Sequence, residues 1–153
     1  MMRRRFLGVL APGLAAILLG CSGGPQDPLV GVGGVPAGMG RIYFYRENKF
    51  YDAQIWTAVS LNRRVVGSSA PGSVFYRDVA PGTYLIEARS DELYPDQART
   101  VVVKPGMIVF ARIAVVPAYG KSDLQWMGNT FVVQIVDPAV ARLQVRQLEL
   151  TQG

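Results

Sequence analysis

From Gly40 onward, apolar and polar positions alternate with a period of two, the spacing of half-buried strands. In "RIYFYR" (41–46), Ile42 and Phe44 alternate with Tyr43 and Tyr45, and arginines close both ends. "IWTAVSL" (55–61) puts Ile55, Thr57, Val59 and Leu61 on one face. "RVVGS" (64–68) follows an Asn62-Arg63 corner, which predicts a tight hairpin because Asn tolerates positive φ. "SVFYRDV" (73–79) and "TYLIEARS" (83–90) flank Ala80-Pro81-Gly82, and "RTVVVK" (99–104) and "MIVFARIAVV" (107–116) flank Pro105-Gly106. Both Pro-Gly pairs suit the centre of a type II turn. "TFVVQIV" (130–136) reads as the last clear strand. Short strands rich in Val, Ile, Tyr and Phe, spaced by turn signals, predict an all-β fold. We expect a small antiparallel β-sandwich of about 7–8 strands with a short C-terminal helix. For that helix, Asp137 is the cap, Pro138 suits the first position, and 138–148 carries apolar residues at 140, 143 and 148. "LQVRQLEL" also alternates as a strand would, so its end stays open.

The first twenty residues follow a different rule. Arg3, Arg4 and Arg5 precede an apolar run from Leu7 to Leu19, interrupted by Pro12. At about 1.5 Å per residue that run gives roughly 20 Å of helix, short of the roughly 30 Å hydrocarbon core. It reads as a secretion signal. The closing Leu18-Leu19-Gly20-Cys21 resembles the bacterial lipobox. The resemblance implies cleavage between Gly20 and Cys21, a diacylglyceryl thioether on the Cys21 sulfur, and acylation of the new amino terminus. Two or three acyl chains make stable anchoring. Ser22 in place of Asp implies sorting to the outer membrane, and "RRRFLG" resembles a twin-arginine export motif as well as a plain secretory one. Residues 22–39 hold six Gly and three Pro, the composition of a spacer whose coil span is roughly 25 Å. Leu29, Val30, Val32 and Val35 could alternatively dock it on the domain. The expected organisation is a cleaved signal over 1–20, a lipidated cysteine and tether over 21–39, and a sandwich domain over 40–153.

Composition narrows the chemistry. The 153 residues contain no histidine and one cysteine, which removes the commonest general base and any disulfide framework. The formal charge of +5 falls to +2 without the three leader arginines, too little for a nucleic-acid partner. Asp91, Glu92 and Asp96 share one loop, without the spacing of a cation site or of an acid/base pair, and read as a solvated acidic loop. Ser68, Ser69, Ser73 and Ser122 have no histidine to activate them, and Lys121-Ser122 is the remaining dyad to consider. "GVGGVPAG" lacks the lysine and following helix of a phosphate loop. The expectation is a protein that is not an enzyme, with no cofactor and no metal.

"GRIYFYR", "VSLNRRVVGSSAPGSVFYRDVAPGTYLIEA" and "DPAVARLQVRQLEL" together resemble a family of small bacterial lipoproteins of uncharacterised function. The central unit is also similar to the PEGA-type β-sandwich repeat, departing from it at Arg63, where glycine usually follows the Asn. The resemblance covers roughly 40–150 and implies a β-sandwich without an assigned activity.

Aromatic residues crowd the first half of the chain, interspersed with Arg41, Arg46 and Arg77. If Ile42 and Phe44 point inward, alternation turns neighbouring rings outward. Tyr43, Tyr45, Trp56, Tyr76, Arg46 and Arg77 therefore form a candidate binding patch. The same rings suit a sandwich core, so both readings stand. The functional expectation is a lipid-anchored accessory protein of the cell envelope, presenting its domain to the periplasm or cell surface and binding an envelope protein. The alternative is a glycan- or small-ligand-binding module that stacks sugars on exposed aromatics.

Overall fold

The computed structural model describes residues 27–49, 55–90, 96–116 and 130–153. The expected signal peptide, Cys21, the Lys121-Ser122 pair and most of the acidic loop lie outside the described residues. Among the described residues, nine strands and one helix follow in order. They are β1 (Gly40–Arg46), β2 (Thr57–Leu61), β3 (Arg64–Ser69), β4 (Ser73–Val79), β5 (Gly82–Ala88), β6 (Arg99–Val103), β7 (Ile108–Val116), β8 (Thr130–Val136), α1 (Pro138–Val145) and β9 (Glu149–Leu150). One sheet has the order β8-β7-β1-β4-β9 and the other β3-β2-β5-β6. The expected sandwich is there, with more parallel pairing than expected: β1 runs parallel to β7, and β9 parallel to β4.

The β2–β3 hairpin turns at Asn62 and Arg63, both at positive φ (49° and 67°), the geometry of a two-residue primed turn. Asn62 braces the neighbouring strand: its Oδ1 accepts from Leu85 N at 2.8 Å. Pro105-Gly106 makes the expected type II turn, with Gly106 at φ 73° and Met107 N donating to Lys104 O at 3.0 Å.

Pro81-Gly82 does not. Gly82 is already the first residue of β5 and has no positive φ, because β4 and β5 belong to different sheets and the chain must cross between them instead of reversing. The Tyr84 hydroxyl fixes this corner by donating to Ala80 O at 2.7 Å.

The main core lies between the sheets and includes Ile42, Phe44, Val59, Phe75, Ile86, Val109, Ile113, Phe131 and Val133. One flank of the sandwich is stitched shut, since Phe131 N donates to Ser90 Oγ and Val133 N to Gln97 O, both at 2.8 Å. A second core covers the outer face of the five-stranded sheet. There α1 lays Ala141 and Val145 over Tyr43, Tyr45, Val74 and Phe110. Asp137 caps the helix through Ala139 N at 2.9 Å, and Pro138 opens it, as expected. Its apolar residues divide differently from the sequence reading: Val140 and Leu143 face outward, and the chain after Val145 becomes β9.

The segment before β1 also belongs to this outer layer. Leu29 packs into the second core, and Gly106 N donates to Met39 O at 2.7 Å. The spacer expected over 21–39 is therefore in contact with the domain from Asp27 onward.

Candidate interaction surface

The six residues of the candidate patch separate into two groups. Tyr43, Tyr45 and Arg46 are buried. Their strand, β1, is central in its sheet and covered on both faces, so alternation sends the tyrosines into the second core rather than to solvent. Tyr43 stacks on Phe110 with centroids 5.0 Å apart. Tyr45 donates its hydroxyl to Gln144 Oε1, and burial pushes its pKa up to about 12. Arg46 donates to Ile55 O at 2.6 Å and lies 5.0 Å from the centre of the Phe131 ring. These three hold the fold together and cannot form a recognition face as they stand.

Tyr76 and Arg77 remain partly exposed on β4, and Trp56 is 69% exposed just before β2. Trp56 sits at the end of the β2–β3 ladder opposite the Asn62-Arg63 turn. The structure therefore does not bring it together with the groove described next.

Sequence reasoning missed the pair that organises this region. Arg41 and Asp78 face each other across the β1–β4 ladder. Arg41 Nε donates to Asp78 Oδ1 at 2.6 Å and Nη2 to Oδ2 at 2.9 Å. Nη1 donates to Gly33 O at 2.6 Å, and the guanidinium lies 4.1 Å from the Tyr76 ring centroid. The carboxylate raises the Arg41 pKa above its ordinary value. A signal was present: "RIYFYR" and "SVFYRDV" are of similar length, and antiparallel alignment puts Arg41 opposite Asp78.

Beyond this clamp, β4 has an open margin. Its ladder with β9 covers only Ser73 and Val74, so among the described residues the outward edge from Tyr76 to Val79 has no strand partner. Two grooves flank that edge. One, of about 570 Å³, is lined by Tyr76, Arg77, Asp78 and Leu150 to Gln152. The other, of about 600 Å³, lies between the Leu61–Val66 hairpin and the Arg77–Val79 end of β4, with Tyr84 beside it. Arg77 and Asp78 belong to both. Arg77 Nη1 and Nη2 each donate to Gln152 O at 3.0 Å, which ties the C-terminal residues to the groove wall.

A smaller cavity of about 280 Å³ lies at the other end of β1, among Arg46, Glu47, Lys49, Arg112 and Gln134. Three cations line it against one carboxylate, Glu47. Arg112 donates to Gln134 Oε1 at 2.6 and 2.9 Å, and Glu47 Oε2 is 3.4 Å from both Arg112 and Lys49. Among the described residues no three His, Cys, Asp or Glu side chains cluster as metal ligands, and no helix is long and apolar enough to cross a membrane.

Strands β1 to β7, with the clamp and the open edge of β4, correspond to a known sequence family. The pattern described as "Protein of unknown function (DUF2846)" matches residues 36–122, more than half of the chain. The chain belongs to the DUF2846 family. The DUF2846 match starts at Pro36, inside the segment that docks ahead of β1, and stops short of β8, α1 and β9. No curated protein matches the chain.

Proposed function

We propose that this DUF2846 protein is a lipid-anchored, non-catalytic accessory protein of the cell envelope, sorted to the outer membrane and binding an envelope protein by strand addition at β4. The observation that carries the interaction is the edge from Tyr76 to Val79, which no described strand pairs, between two grooves. An exposed edge offers main-chain donors and acceptors for affinity, and flanking grooves take alternate side chains for specificity. The anchor reading rests on the Leu18-Leu19-Gly20-Cys21 motif behind its apolar run. The PEGA-like reading is supported by the primed turn at Asn62-Arg63 and the Tyr84-braced Pro-Gly corner. The non-catalytic reading draws on the lack of histidine in the sequence and on the structural engagement of Arg41, Asp78 and Arg112. Sugar stacking on the tyrosines loses support, since Tyr43 and Tyr45 are buried.

The test is in-cell crosslinking with mass spectrometry on the full-length protein, comparing Val65→Lys in the groove with Val102→Lys on the far edge strand β6. The expected result is one dominant envelope protein, crosslinked at 64–66 and 76–79. It should be lost in Val65→Lys and kept in Val102→Lys. Equal capture by both variants, or crosslinks scattered over the surface, would exclude strand addition at β4.

A further inference from the structure

Among the described residues, the outer stripe of α1 presents two apolar side chains that remain largely uncovered. Leu143 lies opposite the buried Ala141 and Val145 and is 62% exposed, and Val140, one turn before it, is 48% exposed. Arg146 lies one turn after Leu143, and Arg142 is exposed beside it. No acidic residue occurs within the helix. The acids nearby are Asp137 at its cap, Glu149 in β9 and Asp27, whose Oδ2 is 3.9 Å from Arg146 Nε. Val30, in the docked N-terminal segment, is 79% exposed. Leucine, valine and arginine together on an outward helix face are the composition of a membrane-surface helix.

The position of the chain's start says what this face meets. Asp27 lies beside the C-terminal end of α1, and six residue steps lead from it back to Cys21. Fully extended, six residues reach about 20 Å. A domain of this size is roughly 30 Å or more across, from a radius of gyration near 13 Å. Without peeling Leu29 from its core, the chain is too short for the opposite sheet to reach a bilayer that holds Cys21.

We propose that the Val140–Leu143 face of α1, with Arg142 and Arg146, rests on the anionic phospholipid surface to which Cys21 is anchored. The four-stranded sheet then points away from the membrane, and the β4 groove opens sideways to it. This rests on the lipidation reading of Cys21 and goes beyond it by fixing which face of the domain meets lipid.

The experiment uses full-length protein in vesicles of phosphatidylglycerol and phosphatidylcholine. One environment-sensitive dye is placed at Leu143→Cys or, as control, at the exposed Val65→Cys on β3. The vesicles carry a quencher on the lipid chains. A thioether at Cys21 blocks that sulfur, and the intact mass of the same sample reports whether the lipid is present. The expected result is a lipidated mass, with a blue-shifted, quenched dye at 143 and an unquenched dye at 65. Replacing Arg142 and Arg146 with Glu should weaken the contact by at least about fivefold per arginine removed on anionic vesicles. A lipidated protein whose two dyes are quenched equally overturns the orientation and leaves the anchor intact. An unlipidated mass overturns both.

Discussion

Arg41 grips Asp78 with two parallel hydrogen bonds directly across the β1–β4 ladder, at 2.6 and 2.9 Å. The same guanidinium holds the carbonyls of Gly33 and Gly34, so one side chain joins the central strand, its neighbour and the docked N-terminal segment. Breaking one partner of a largely buried pair strands the other charge and typically costs about 3–5 kcal/mol. Arg41→Ala should therefore lower stability in urea unfolding by about 3 kcal/mol. Arg41→Lys should rescue little, because an ammonium cannot reproduce the planar fork.

Arg63 should gain stability from the residue that usually follows Asn in such turns. At φ 67° its side chain is strained in a conformation glycine adopts freely. The left-handed penalty of about 1–2 kcal/mol is partly offset by glycine's greater freedom when unfolded. We expect Arg63→Gly to raise the unfolding free energy by about 0.5–1 kcal/mol, with no change in the denaturant slope.

Gly40 admits no side chain. A Cβ there would lie 2.2 Å from Val103 Cγ1 and 2.9 Å from the Lys104 carbonyl oxygen. The backbone contact cannot rotate away, so Gly40→Ala should destabilise by about 1–3 kcal/mol or more. Gly34→Ala is the control: nothing lies within 4 Å of its added Cβ, and it should stay within about 0.5 kcal/mol of wild type. Thermal unfolding of the two variants side by side gives the comparison.

Tyr45 predicts a loss of stability in alkali. Its folded pKa is about 12, raised by burial, against about 10 when unfolded. Between those values the unfolded chain has released the proton and the folded one keeps it, so stability falls as pH rises through the window. The contribution is fully present below about pH 10. Tyr45→Phe should flatten the pH dependence of the urea midpoint between pH 10 and pH 12 relative to wild type. An unchanged slope would mean that the phenol ionises in the folded state as it does in water.

The strands were legible because their signal is local. Val59 and Leu61 alternate with the small residues Ala58 and Ser60, and Asn62 and Pro105-Gly106 mark turns by their own backbone preferences. Partners were not legible. That β1 lies beside β7, parallel to it, depends on a crossover that no local pattern encodes. This explains why patch and core both stayed open for the tyrosines: a strand with a helix over its outer face buries both sides, and period two then says nothing about solvent. It also explains Gly82, whose Pro-Gly context is the same whether the chain reverses within a sheet or crosses to another. Of the candidate patch, Tyr76 and Arg77 lie at the groove, while Arg41 and Asp78 emerge as a clamp only once their two strands are laid antiparallel in register.

The central position of β1 also sets a timetable for synthesis. Its partners arrive late, β4 about thirty residues and β7 about sixty residues after it. At about 5–20 residues per second, β1 waits roughly three to twelve seconds before its second edge is taken. During that interval Ile42, Phe44, Tyr43 and Tyr45 offer two apolar faces on one ribbon, a template for pairing with another unfinished chain. The strand at the centre of the finished sheet is thus the one most in need of an escort while the chain is being made.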